Sequence, residues 1–496
     1  AIFTSAAQIT ASRPGFAVIS AFQSTEPVFN NFSAFAEDTW QVSRRLTLTY
    51  GLRWDLNPPP SEANDNDPFV LVGLASPATA TLGTRGTPLY KTTYTNFAPR
   101  AGGAYRLSER QGRETVLRGG FGIFYDLGNG QTGNAFTGFP FQSMKQLLSP
   151  TFPLSETLAM PAPFSTTPSA GSVIEAFDPN LKLPRTFEWN IAVEQSLGNN
   201  QSVSAAYVGA TGDRLLRHAI IVGLPASLAT SQVFETTNAA SSSYHALQVQ
   251  FQRRLSSGLQ ALASYTWAHS IDSASDEVVS NDNVRGPSDF DVRHTLSIEI
   301  TYNLPGPRTQ GFAGALLRNW SVDSIFIART ATPVNVLARA FDNVNGIQTS
   351  VRPNLTPGIP LFLDNPDAPG GRVFNNTVDP SRPGCKGPFC APPIGVQGTL
   401  GRNALRGFGF NQIDLALRRK IVLTERWSLQ VRAEAFNLLN HPNFGDPNNL
   451  LTNALFGQST TMFGTGLGTG GVNGGLNPIY QIGGPRSMQL ALKLQF

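Results

Sequence analysis

The chain has 496 residues, with 37 Lys+Arg against 33 Asp+Glu and a formal net charge of +4. Charged residues make up only 14%, well below the roughly 25% of ordinary soluble chains, and hydrophobic residues reach 41%. No Lys/Arg block stands out, so charge gives no case for a nucleic-acid partner, and no run approaches the ~20 apolar residues of a membrane helix.

The first residues read "AIFTSAAQITASRPGF", without initiator Met, basic n-region or apolar h-region. Residues 1–29 are therefore expected to be the trailing part of an upstream strand or loop of a longer protein. From about residue 30 to 496 the pattern is uniform: apolar and polar residues alternate with a period of two, the strand signal. Thirteen strands are expected near 31–41, 45–56, 97–107, 115–126, 186–197, 201–209, 244–255, 259–269, 293–304, 319–330, 411–419, 427–437 and 487–496. In "RLTLTYGLRWDL", Leu46, Leu48, Tyr50, Leu52 and Trp54 share one face, and Thr47, Thr49, Arg53 and Asp55 the other. "YHALQVQFQRRL" sets Leu247, Val249 and Phe251 against Gln248, Gln250 and Gln252. Helical periodicity never holds for three turns.

Each strand runs about ten residues. At ~3.3 Å per residue and a tilt of ~45°, it rises about 23 Å, close to the apolar band of an outer-membrane barrel. The connections alternate strictly. "VSRR", "SERQGRE", "GNN" and "SSG" are short, whereas 57–96, 127–185, 210–243, 270–292, 331–410 and 438–486 are long, polar and without patterning of their own. A soluble sandwich has no reason to keep every second loop short. A transmembrane barrel has one, with tight periplasmic turns and long extracellular loops. Trp40, Tyr50, Trp54, Trp189, Tyr265, Trp267, Trp320 and Trp427 lie near strand ends, where interface girdles form. The fold class is thus all-β, a transmembrane antiparallel up-and-down β-barrel in the outer membrane, with lipid outside and a polar lumen inside. Its last strand leaves the C-terminus in the periplasm.

Two places depart from the alternation. Arg253 falls on the apolar face beside the "SSG" turn, where it can snorkel to the interface. Around Phe436 the parity shifts, so a bulge or strand end is expected there. On the polar face the charged positions are Arg53, Asp55, Arg118, Asp126, Glu188, Glu194, Arg293, Glu299, Arg432 and Glu434. They are the candidate lumen-facing residues, for selectivity or for holding a plug, against the plainer reading of a solvated wall. Cys385 and Cys390 in "CKGPFC" close a small disulfide in an oxidising compartment or remain two thiols.

Catalytic constellations are missing. His218, His245, His269, His294 and His441 form no HExxH or GxSxG partner set, so no enzyme, cofactor or metal site is expected. "DVRH" (291–294) has kinase-like letters in the wrong order. "GTGLGTGG" (464–471) has the composition of a phosphate loop but no strand-then-helix context. "NDND" (64–67) and "FDNVNG" (341–346) offer oxygen ligands for calcium but read as turns.

Several stretches together resemble the barrel of TonB-dependent outer-membrane receptors, in particular the Oar-like group. They are "FAEDTWQVSRRLTLTYGLRWD" (35–55), "FAPRAGGAYRL" (97–107), "LRGGFGIFYD" (117–126), "YHALQVQFQRRLSSGLQALASYTWAHSID" (244–272), "DFDVRHTLSIEITYNLP" (289–305), "VRAEAFNLLNHPNFGDP" (431–447) and the terminal "LALKLQF". The resemblance implies a 22-stranded barrel around an N-terminal plug, opened by energy delivered through TonB, and an unknown ligand bound by extracellular loops. Against that pattern the chain is expected to lack the plug and the TonB-contact segment, with about nine strands missing. The alternatives are a passive channel of about fourteen strands, counting "PGFAVISAF" (14–22), and a surface adhesion or structural barrel. Terminal Phe496 resembles the signal by which outer-membrane proteins are handed to the barrel-assembly machinery.

Overall fold

The structure is a computed structural model, describing residues 3, 6–169, 171–228, 232–273, 275, 285–306, 311, 316–344, 347–466 and 482–496. Its main sheet has seventeen strands among the described residues: four short ones from the connections, of which Val173–Phe177 pairs in parallel, join an antiparallel meander of thirteen strands. They are β1 (Phe32–Gln41), β2 (Leu46–Leu56), β3 (Asn96–Ser108), β4 (Thr115–Tyr125), β5 (Arg185–Ser196), β6 (Gln201–Ile221) and β7 (Gln232–Ser256). They continue as β8 (Leu259–Asp272), β9 (His294–Asn303), β10 (Trp320–Arg329), β11 (Phe410–Val422), β12 (Ser428–Phe436) and β13 (Ser487–Gln495). Each strand pairs with the next in the chain. No pairing among the described residues joins β1 to β13, so the sheet has two open edges and the barrel is not closed.

Every strand expected from the alternation is present, within a residue or two at most ends. The exception is the β6–β7 hairpin. Residues 210–243 were expected to form a long loop, but the two strands continue through most of it, with β6 reaching Ile221 and β7 starting at Gln232. The segment is rich in Ala, Ser and Thr and alternates weakly. Its ladder is backbone-driven, with register shifts at Gly212/Leu215 and Leu215/Arg217. Its apolar residues Ala219, Ile221 and Val233 pack into a loop core rather than facing outward.

Pairing carries one face unbroken across the sheet. Glu188 stands opposite Gly122 and Ala210, Gln250 opposite Ser204 and Ser264, and Glu434 opposite Ala416 and Gln489. The other face is apolar and exposed: Leu490 retains 84% of its surface, Leu492 73% and Ile191 53%. Trp189 lies across Gly209, where an added Cβ would come within 2.3 Å of the indole. Only glycine permits that approach.

The buried cores among the described residues lie elsewhere. One joins Leu71, Phe139, Ile174 and Leu228 to the hairpin extension. A second gathers Val336, Phe374, Phe389, Leu405 and Phe456, with Phe389 edge-on to Phe456 at 5.6 Å. A third contains Tyr90, Phe136, Phe141 and Phe177. All three are built from the long connections. The expectation of unpatterned polar loops is therefore corrected. Their short strands and turns spread apolar residues too thinly for a periodic signal, yet each buried phenylalanine contributes about 1.5–3 kcal/mol. The molecule is inside-out, with dry cores in its loops and apolar side chains exposed on its strands.

Residues 6–28 also belong to this loop layer. Ala6–Thr10 form a helical turn, and Phe16–Phe22 pair antiparallel with Gln142–Leu148. "PGFAVISAF" is thus a strand, but it adds none to the main sheet. That removes the fourteenth strand on which the passive-channel count relied.

Candidate functional site: the polar face and the loop layer above it

Of the ten charged positions singled out on the polar face, the fold brings six together as ion pairs. Arg53 meets Asp55 at 2.9 Å, Arg118 meets Glu194 at 3.0 Å across β4 and β5, and Arg432 meets Glu434 at 2.7 Å. Arg418 adds a fourth pair with Asp323 at 3.0 Å. Glu188 and Glu299 sit on the same face, between Gly122 and Ala210 and between Leu262 and Ile325. Asp126 and Arg293 fall just outside strand ends. Asp126 accepts from the Gly128 amide at 3.2 Å, and the Arg293 carbonyl accepts from Ala268 N–H at 2.9 Å. Between these charges, β6 to β9 present a neutral hydroxyl and amide wall, including Ser204, Gln248, Gln250, Ser264 and Thr266.

The most ordered charge cluster was not legible from spacing. The segment "GRNALRG" (401–407), in the connection between β10 and β11, inserts into the β8–β9 connection. The Arg402 guanidinium donates to the Asp272 carbonyl, to its carboxylate at 2.8 Å and to the Gly286 carbonyl at 3.1 Å. Both side chains are nearly dry, 2% and 8% exposed. Asn403 donates to Asp289 at 2.6 Å. Arg406 pairs with Asp291 at 2.5 Å, and His269 Nδ1 donates to the same carboxylate at 3.2 Å. Two arginines four residues apart in a Gly-bounded loop of a charge-poor chain were the available signal. Nothing local said that their partners lie over a hundred residues upstream.

Burial pushes the Asp291 carboxyl up, but Arg406, the Ser270 amide and His269 outweigh it and hold it below the usual carboxylate range. Asp291 therefore stabilises this clasp above its unfolded pKa of about 3.9, and the contribution disappears as pH falls through the lower folded value. Proteolytic protection of the 399–409 segment should persist at about pH 5 and fade only below about pH 4. Loss near neutral pH would show that the carboxylate is not what holds it.

Cys385 and Cys390 face each other in a two-residue ladder, with their sulfurs bonded at 2.13 Å. "NDND" is a turn organised by Glu62, whose carboxylate accepts from the amides of Glu26, Asn64 and Asn66 at 3.1, 2.7 and 3.2 Å. These bonds lower its pKa. In "FDNVNG", residues 345–346 lie outside the described residues, as do 467–471 of "GTGLGTGG". A cleft of about 580 Å³ opens in the loop layer between Pro58, Val72, Leu89, Tyr94 and Phe177.

Phe436 ends β12, and Asn437 takes a positive φ of 49° while its amide donates to Asp414 at 2.8 Å. Arg253 faces outward beside the turn and donates to the Ser256 carbonyl at 3.4 Å. Aromatic residues gather at both strand ends on the outward face. Trp40, Trp320 and Trp427 lie by the short turns, and Trp54, Trp189, Tyr265 and Trp267 by the long connections.

No curated protein matches the chain. Among solved structures it is similar to the ferripyoverdine receptor of the outer membrane of Pseudomonas aeruginosa (8% identity, TM-score 0.44, 95% of this chain and 39% of that one). It is also similar to the FrpB iron transporter from Neisseria meningitidis (14%, 0.44, 88% and 45%) and the outer membrane transporter YddB from Escherichia coli (10%, 0.44, 95% and 54%). The chain thus spans 39% to 54% of the length of these structures. Residues 8–471 match the family model described as an outer membrane beta barrel domain. With that match over nearly its whole length, and with apolar strand faces outward and a polar face between packed loops and tight turns, the chain belongs to the outer membrane β-barrel family.

Proposed function

We propose that this chain is the C-terminal barrel portion of a TonB-dependent receptor of the Oar-like group. Its loop layer binds a substrate on the extracellular side, and the substrate passes along the polar face into the periplasm without covalent chemistry. The observation that carries the reading is the loop layer itself. Long connections fold into three dry cores on one rim of the sheet, a rigid platform that an open pore has no need of. The two free sheet edges suit a larger barrel, completed by strands outside this segment. In this reading Arg53, Asp55, Arg118, Glu188, Glu194, Glu299, Arg432 and Glu434 face the lumen, and Asp126 and Arg293 stand at its rim. Their mutual ion pairs favour wall or plug contacts over direct substrate contacts. TonB acts through an N-terminal plug, and the C-terminus is periplasmic.

The test is genetic. Deleting the gene for this protein and deleting tonB should produce the same nutrient-dependent growth defect. A defect seen only on loss of the protein, with tonB dispensable, would favour a passive channel. Loss of adhesion with intact uptake on removing 331–410 would favour a surface adhesin.

Phe496 is assigned to assembly. It is 92% exposed and touches only the rim, with its ring 5.3 Å from Trp427, so its removal costs the folded sheet little. Deletion should nevertheless lower the amount of full-length protein in the outer membrane severalfold, read by surface labelling. Unchanged surface levels would dismiss a role as assembly signal.

A further inference from the structure

Three of the chain's histidines stand together on the outward face, and the fold surrounds them with aromatic rings. His245 and His269 are directly opposed on β7 and β8, and His294 opens β9 opposite Trp267. Two constellations repeat. The Tyr207 hydroxyl lies 2.7 Å from His245 Nδ1 with the rings stacked at 6.1 Å, and Trp189 flanks the same imidazole at 6.1 Å. The Tyr265 hydroxyl lies 2.8 Å from His294 Nδ1, and Trp267 stacks on that imidazole at 6.4 Å with 7° between planes. A neutral imidazole that accepts the tyrosine O–H at Nδ1 carries its own proton on Nε2. Each site therefore turns an N–H donor away from its tyrosine.

A fixed charge completes the row. Arg285 donates to the Ser241 and Ser243 hydroxyls at 2.9 and 3.0 Å. Ser241 and Ser243 share the outward parity of His245, so the guanidinium lies above the imidazoles on the same face. Asp291 is the carboxylate facing His269, and Arg406 neutralises it.

The height of the row follows from the strands. His245 is eleven residues from Ser256 at the short turn, about 36 Å of strand at ~3.3 Å per residue. Tilted by ~45°, that is about 25 Å, the full apolar band of such a barrel. The histidines thus sit at the far boundary of the hydrocarbon, on the long-loop side, with Arg285 just beyond it. Amphipathic rings suit that boundary. An arginine and imidazole N–H groups on that face do not suit acyl chains and need acceptors.

We propose that Arg285 with His245, His269 and His294, framed by the tryptophan and tyrosine rings, binds the phosphate-bearing headgroup of an outer-leaflet lipid. The guanidinium takes the phosphate, and His245 and His294 donate from Nε2 to its oxygens. His269, whose Nδ1–H is held by Asp291, accepts from a neighbouring hydroxyl, and the rings pack the uppermost acyl and sugar carbons. The proposal rests on the membrane placement and orientation of the barrel and not on transport, so lipid binding and TonB-dependent uptake fail separately.

The test titrates the full-length protein in detergent micelles with diphosphoryl lipid A, and separately with the same lipid stripped of phosphate, read by native mass spectrometry. The phosphorylated lipid should bind preferentially. Arg285→Gln should weaken it about five- to ten-fold and leave the phosphate-free lipid unchanged, while Arg285→Lys retains most of the binding. His245→Ala with His294→Ala should weaken it further. If that pair fails to assemble, the exposed Arg285→Gln change carries the test alone. Equal binding of the two lipids, or equal loss with Arg110→Ala at the opposite rim, would overturn the proposal.

Discussion

Ile191→Arg should block stable insertion of the barrel, whereas Asn190→Arg, one residue away, should be tolerated. Ile191 lies at the middle of β5, on the outward face, between Gly119 and Tyr207. An arginine at mid-height on the lipid face costs about 2–4 kcal/mol, because its charge must leave water for hydrocarbon. Asn190 occupies the polar face between Gly120 and Val208, and the small neighbour leaves room for a longer side chain in a wet environment. The measurement is urea unfolding of both variants reconstituted in lipid vesicles, with heat-dependent gel migration as the sign of a folded barrel. Equal destabilisation would mean that the faces are wrongly assigned. A larger effect at Asn190 would mean that they are reversed, as in a soluble barrel.

Arg402→Ala should open the loop layer without unfolding the sheet. Arg402 and Asp272 are both nearly dry and 2.8 Å apart. Removing one member of a buried pair leaves the other charged and desolvated, at a cost of about 3–5 kcal/mol. The Gly286 carbonyl loses its donor as well. The β-ladder makes its hydrogen bonds independently of this segment, so gel migration should remain that of a folded barrel while protease cuts appear in 399–409. Adding Asp272→Ala should recover part of the loss, since the stranded carboxylate is then gone. Unchanged protection in the single variant would show that the apolar core around Leu405 and Phe456 holds the segment by itself.

The strands were legible because a barrel wall imposes one rule on every residue, lipid on one side and polar surroundings on the other. Leu46 to Trp54, Leu247 to Phe251 and Met488 to Leu494 obey it with few exceptions, and the register then carries it from strand to strand. The loops were not legible because no such rule applies. Phe374, Phe389 and Phe456 come from separate stretches and meet only through tertiary packing. Residues 210–243 failed for a related reason. Beyond the membrane both faces of a hairpin meet loops or water, so the alternation weakens although the strands continue.

The same division runs through the charged residues. Parity alone placed Arg118 and Glu194 on one face, but their pairing required the β4–β5 register. Arg402, Arg406 and Asp291 lie in connections and carried no parity at all. Spacing likewise showed five unconnected histidines, and three of them share a row only because β7, β8 and β9 are neighbours.

By itself, then, the sequence determined the all-β class, the thirteen strands, their two faces and the alternation of short and long connections. These follow from local periodicity under a uniform solvent boundary. Only the tertiary structure decided where the dry cores lie, which arginines clasp which carboxylates, and that Phe16–Phe22 join the loop layer instead of the wall. Those contacts link residues up to 130 positions apart, as Asp272 and Arg402 are. Their energy comes from desolvation and shape at the meeting point, which no periodic pattern encodes.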